Sequence, residues 1–173
     1  MRSTYPENIQ EHSLQVAMVA HALALIRNRL FGGTVCPERT AVLALYHDVS
    51  EVLTGDLPTP VKYFNPDIKT AYQGLEETAV HKLFSMLPDE LKDDYQPFFN
   101  LDQADASHHE LVKAADKLCA YIKCLEEIST GNQEFSQAEQ TLRNTVEGID
   151  LPEVRYFVKT FIPSFRLTLD QLG

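Results

Sequence analysis

Apolar residues recur along this chain at three- and four-residue intervals and period-two alternation is absent, so the pattern predicts helices throughout. Asn8-Ile9-Gln10-Glu11 reads as a capping box with Asn8 as N-cap. The helix it starts places His12, Val16, Val19 and Leu23 on one face and ends near Arg29, before Gly32-Gly33. Pro37 opens a second helix, which is expected to carry His47, Asp48 and Glu51 and to stop at Thr54-Gly55. Asn65-Pro66-Asp67 starts a third, through Ala71, Leu75, Ala79, Leu83 and Met86 to Pro88, and a short helix follows between Pro88 and Phe99. After a polar loop from Asn100 to Ala106, Ser107-His108-His109-Glu110 reads as a second capping box, opening a long helix to Thr130 that Gly131 stops. Asn132 caps the next helix, to about Gly148. Pro152 starts the last substantial one, which stops before Pro163, with one further turn at Leu167 to Leu172. No repeat, low-complexity tract or linker interrupts the pattern. The expectation is an all-α fold, one compact helical bundle over residues 1–173.

Composition narrows the possible partners. Hydrophobic content of 44% with 23% charged residues is that of an ordinary globular chain. A formal net charge of −10 argues against polymeric nucleic acid, whose binding depends on neutralising phosphates with Lys and Arg. It leaves room for a small phosphorylated ligand, provided that a site-bound divalent cation supplies the positive charge the surface lacks. No apolar run approaches the ~18 residues of a membrane span, and no signal peptide opens the chain, so neither a membrane partner nor export is expected and the compartment is read as cytoplasmic. Cys36, Cys119 and Cys124 are odd in number and form no CxxC pair; the last two fall inside the long helix and read as buried, reduced thiols.

The chemistry gathers at Tyr46-His47-Asp48-Val49-Ser50-Glu51, where an apolar helix meets an imidazole, a carboxylate beside it and another a turn later. His47 and Asp48 point about 100° apart on a helix, so they serve one point only if it lies between them, and Glu51 stands over the same edge. Both acids fall in the last turns of the expected helix, where the dipole favours a cation, and no Lys or Arg occurs between Arg39 and Lys62. A hydrogen-bonded histidine flanked by two solvated acids is the plainer reading of this stretch alone. Asp116 adds a second clue. It lies in an apolar stripe with Val112, Cys119 and Ala120, where an unpaired carboxylate would be costly; Lys113 and Lys117 are close enough to pair with it. His12, His47, Asp48 and Asp116 together make two imidazoles and two carboxylates drawn from separate helices. That set suits one six-coordinate divalent ion such as Mn²⁺, Co²⁺ or Fe²⁺ better than a closed zinc site.

In order and spacing, His12…His47-Asp48…Asp116 resembles the HD-domain metal-dependent phosphohydrolases. The strings from Glu11 to Ala24, Tyr46 to Asn65 and Lys113 to Glu127 are similar to one branch of them, the bacterial 5′-deoxynucleotidases, which hydrolyse deoxyribonucleoside 5′-monophosphates to the deoxynucleoside and phosphate. The resemblance covers nearly the whole chain. It implies an HD-domain bundle, one divalent cation (Co, Mn or similar), a nucleoside monophosphate as substrate and a homodimer. It assigns His12, His47, Asp48 and Asp116 to the metal, with Asp48 also facing the phosphate. It makes Glu51 the catalytic glutamate, and Asp56, Leu57, Pro58 and Thr59 the loop that holds the sugar, with the Asp56 carboxylate on the 3′-hydroxyl. The family also carries an upstream segment with an Arg-Trp pair. This chain has no Trp, and that segment is expected to be missing.

No Ser or Cys nucleophile is set up beside a base, so an attacking water is the simpler expectation, with Glu51 handling its proton or that of the departing 5′-oxygen. His81 is the residue that a second metal would call on, and one metal is the expectation. His108 and His109, beside a helix start, are expected to face solvent. The competing readings are another HD-domain activity, on cyclic nucleotides, triphosphates or guanosine tetraphosphate, and a nucleotide-binding module with weak or no turnover.

Overall fold

The structure, a computed structural model, describes residues 2–4, 6–56, 65–99, 105–167 and 169–171. Asn8 closes the amino end of α1 (Ile9–Phe31), its side chain accepting from the amides of Gln10 at 3.0 Å and Glu11 at 3.1 Å. Glu11 Oε2 accepts the Asn8 amide in return at 3.2 Å, completing the expected box. Gly32 ends the helix at φ 69°, a left-handed conformation that a side chain would disfavour. The buried stripe of α1 includes Val16, Ala20, Leu23 and Ala24, spaced as one helical face.

The second helix departs from expectation. α2 (Pro37–Leu45) stops before the His-Asp pair, and residues 46–50 run as tight turns into a separate four-residue helix, α3 (Glu51–Thr54). His47 Nδ1 lies 2.7 Å from the Ala44 carbonyl oxygen, the acceptor that the Asp48 amide would use in a continuing α-helix. The amides of Tyr46, His47 and Val49 instead bond to carbonyls three residues earlier, at 3.2, 3.4 and 3.1 Å. Glu51 therefore opens a helix rather than closing one. The dipole no longer speaks for a cation there, and the donor atoms must carry that case.

Asn65 caps α4 (Pro66–Ser85), accepting from the Ile68 amide at 2.8 Å, and α5 (Asp89–Phe99) follows. The long helix α6 (Ala106–Ser129) begins without the expected capping box: Ser107 is already inside it, and Glu110 turns to Arg27 at 2.7 Å. Arg39 grips both oxygens of Asp105, at 2.6 and 3.3 Å, and this draws the start of α6 against α2. His108 and His109 are consequently half-buried rather than solvent-facing, and His108 Nε2 accepts the Cys36 amide at 3.2 Å. Asn132 caps a 3₁₀ turn (Gln133–Phe135) that leads into α7 (Ser136–Glu147), and α8 (Pro152–Thr160) is followed by a 3₁₀ segment, Ile162–Arg166, that absorbs Pro163.

α6 is the axis, packed against α1, α2, α7 and the 3₁₀ segment after α8, while α1 also packs on α2 and α8. Leu23, Leu111, Leu118 and Ile122 are fully buried in this core. Truncating one of the buried leucines to Ala would cost ~2–5 kcal/mol. Alanines 20, 24, 44 and 115 are wholly buried in it, and side chains that small let helix axes approach closely. α4 and α5 stand outside: α4 buries Tyr72 and Ala79, α5 nothing, and α3 joins them by packing on α4. Among the described residues no strand occurs, and no helix is long and apolar enough to cross a membrane. Cys119 and Cys124 are buried and unbridged, and burial, with nearby carboxylates, pushes the Cys124 thiol up to about 11, as the reduced reading expects.

Candidate metal centre

Three helical elements meet where the ligand atoms gather. His12 comes from the first turn of α1, His47 and Asp48 from the turn between α2 and α3, and Asp116 from the middle of α6. One ligand atom each from His12, His47 and Asp48 lie within 4.8 Å of one another. His47 Nε2 stands 2.9 Å from Asp48 Oδ2, and His12 Nε2 lies 3.7 Å from that same oxygen. The two imidazole rings are 5.4 Å apart at a tilt of 44°. Asp116 joins through His12, with Oδ1 3.3 Å from its Nε2, while Oδ2 accepts from Lys117 Nζ at 2.8 Å. The lysine pairing that the sequence raised as the plainer reading therefore exists, and it occupies one carboxylate oxygen, leaving the other turned to the cluster. The side chains of Asp48 and Asp116 keep 29% and 26% of their exposure, so the cluster opens to solvent rather than being sealed.

His47 tests the fit of a cation. Its Nδ1 contacts a carbonyl oxygen, which can only accept, so Nδ1 carries the hydrogen and the neutral ring presents a lone pair at Nε2. That Nε2 is buried and makes no well-formed hydrogen bond, although a carboxylate oxygen is 2.9 Å away. Two electron-rich atoms that close require something positive between them. In the absence of an ion only a proton can serve, and both histidines respond accordingly. Burial pulls the His47 pKa down, but the contact with Asp48 and the charges of Asp48 and Asp116 outweigh it, and the net shift is upward. His12 behaves alike: burial opposes, and Asp116, Asp48 and Glu7 together raise it. Asp116 is raised by burial but held far below the usual carboxylate range by His12 and Lys117. The donor set is thus two imidazole nitrogens and two carboxylates, which fits a divalent cation.

Glu51 is buried at the first position of α3, its amide donating to the Asp48 carbonyl at 2.9 Å. Asp56 is exposed just beyond Gly55, and Leu57, Pro58 and Thr59 lie outside the described residues. His81 is exposed on α4 and is not a member of the metal-competent group found among the described residues. Two contributors escaped the sequence. Glu7 Oε1 approaches His12 Nδ1 at 3.9 Å, and Tyr46, next to His47, stacks on Phe98 at 5.0 Å, tying the turn to α5. Glu7 lies in no periodic face or short motif, so nothing local marks it; Tyr46 heads the His-Asp stretch, but its ring contact with α5 is a packing feature that spacing does not reveal.

Known proteins resemble this chain to different degrees. Residues 1–165 match the family described as 5′-deoxynucleotidase YfbR-like. A 5′-deoxynucleotidase of Vibrio parahaemolyticus is 57% identical over all 173 residues, covering 89% of that protein, and one of Vibrio cholerae is equally similar. A 5′-deoxynucleotidase of Klebsiella pneumoniae is 54% identical over the whole chain and 87% of its own length. Among solved structures, an HD-domain phosphohydrolase from Listeria innocua superposes with a TM-score of 0.82 at 24% identity, covering 95% of this chain and 79% of its own. At that identity the likeness speaks for the fold.

Proposed function

Because the chain belongs to the YfbR-like 5′-deoxynucleotidase family, HD-domain phosphohydrolases acting on deoxyribonucleoside 5′-monophosphates, we propose that His12, His47, Asp48 and Asp116 hold its catalytic cation and that Glu51 handles the transferred proton. The observation that carries this is the buried, lone-pair-bearing His47 Nε2 set 2.9 Å from a carboxylate oxygen. Two nitrogen and two carboxylate donors favour a borderline ion of the Co²⁺ or Mn²⁺ kind. When bound, such an ion would lower the pKa of a water on it towards ~7 and offset charge on the phosphoryl oxygens.

The residues' own tasks follow from their contacts. The Ala44 carbonyl fixes the tautomer and ring plane of His47, and Lys117 orients Asp116 by holding its outer oxygen. Asp48, the most open of the four, faces the side from which a phosphate would arrive. Glu51, joined to Asp48 through its amide, either takes a proton from the attacking water or delivers one to the departing 5′-oxygen. Asp56 to Thr59 hold the deoxyribose, with the Asp56 carboxylate on the 3′-hydroxyl; that contact rejects a sugar lacking the 3′-hydroxyl, whereas refusing the added 2′-hydroxyl of a ribonucleotide requires a steric fit. The chain acts as a homodimer in the cytoplasm, a reading that the exposed Leu14, Met18 and Leu25 along α1 support for the dimer.

A phosphate-release assay tests this reading. With Co²⁺ or Mn²⁺ added, deoxyribonucleoside 5′-monophosphates are expected to be hydrolysed and matched ribonucleotides to react far more slowly. Preferred hydrolysis of cyclic nucleotides or triphosphates, tracked by chromatography of the nucleotide products, would reject it.

A further inference from the structure

α4 contributes few side chains to the interior, and one of them, Tyr72, is buried with its hydroxyl donating to the Gly55 carbonyl oxygen at 2.9 Å. That oxygen belongs to the peptide unit joining Gly55 to Asp56. The unit is planar, so holding its oxygen sets the direction in which Asp56 leaves the turn. Gly55 sits at φ 70°, the region where glycine is at ease, and an untethered glycine is also the freest point of a chain. Its amide is held as well, donating to the Glu51 carbonyl at 2.8 Å. The Thr54 hydroxyl reaches the same Gly55 oxygen at 3.0 Å, but from within the turn; Tyr72 ties it to another helix.

We propose that Tyr72 is a positioning residue for sugar selection: its hydroxyl, through the Gly55 carbonyl, aims the Asp56 carboxylate at the substrate's 3′-hydroxyl. The inference rests on the reading of Asp56 as the sugar contact. The Gly55 amide, for its part, ends on the Glu51 carbonyl, so the turn that carries Asp56 is joined by its backbone to the start of α3. A buried phenol that loses its hydroxyl keeps its ring packing, so Tyr72→Phe removes the tether without emptying the site.

The test compares kcat/KM on a deoxynucleoside 5′-monophosphate and on its 2′,3′-dideoxy counterpart, which lacks the 3′-hydroxyl. Wild type, Tyr72→Phe, Asp56→Ala and the double variant are measured, with Mn²⁺ stoichiometry and circular dichroism as checks on folding. Tyr72→Phe is expected to lose about three- to tenfold on the deoxy substrate, mainly through KM, the range of one net hydrogen bond. Its loss on the dideoxy substrate is expected to stay under about twofold, and in the Asp56→Ala background it adds nothing. Equal losses on both substrates, or full additivity with Asp56→Ala, would overturn the inference. If Asp56→Ala itself lowers both substrates alike, the sugar reading fails and takes the inference with it. If Asp56→Ala discriminates while Tyr72→Phe matches wild type, the inference alone fails.

Discussion

His47 shows how one side chain can decide both local backbone and chemistry. By taking the Ala44 carbonyl it ends α2, and by committing Nδ1 it leaves the Nε2 lone pair available to a cation. The sequence made the pair legible, since an imidazole beside a carboxylate after an apolar helix is a short readable string. It could not reveal the broken helix, because a side chain competing for a backbone acceptor is invisible to periodicity. Asp116 was legible for a different reason, as a carboxylate in an apolar stripe. The proposed role of Glu51 would separate binding from turnover: Glu51→Gln is expected to bind Mn²⁺ as wild type does while kcat falls ~10²–10⁴-fold, and unchanged turnover would remove it from the mechanism. The histidines also give a pH signature. Their pKa values are raised in the ion-free fold, so their stabilisation is complete below ~6.5, the unfolded value, and is lost as pH rises through the folded values. Asp116 is depressed, so its contribution is present above ~3.9 and lost as pH falls. Thermal melts of chelated protein are therefore expected to weaken from pH 6 to 8, and melts with Mn²⁺ to weaken less or to strengthen, because binding requires neutral imidazoles. Parallel curves with and without the ion would contradict the assignment of His12 and His47.

Helix faces were the most readable scale, and helix ends the least. The capping box at Asn8 formed as expected because both partners are local, whereas the one at Ser107 did not, because Arg39 on another helix claims Asp105 and shifts the start of α6. Long-range ion pairs overrule local caps where they are well formed and partly buried. The site depends on α1 and α6 approaching closely enough for His12 and Asp116 to come within 3.3 Å. Ala20 is wholly buried on α1, and a side chain that small is of the kind that lets packed helices approach closely. Ala20→Leu is expected to destabilise the fold by ~1–3 kcal/mol and to weaken Mn²⁺ binding more than a surface change of equal cost. Calorimetry showing lowered stability with unaltered Mn²⁺ affinity would show that the spacing of these helices does not matter to the site.

At the scale of the molecule, the proposed ligands come from α1, α6 and the turn leaving α2, next to the packed core, while Glu51 and Asp56 adjoin the lightly packed unit of α3 to α5. A rigid ligand platform beside a less buried substrate-facing unit is the division of labour expected of a site that must admit and release a nucleotide. All-α architecture was readable from the uninterrupted helical period; which helices would form the axis was not, because helix contacts depend on packing across the chain. The homodimer is checked by light scattering, where twice the 19.6 kDa chain mass is expected and a single chain mass would remove that part of the proposal. The most direct test of the whole account is anomalous scattering from crystals grown with Co²⁺. One peak is expected about 2.1 Å from the Nε2 atoms of His12 and His47, with oxygens of Asp48 and Asp116 also coordinated. No peak there, or a peak held by other residues, would contradict it.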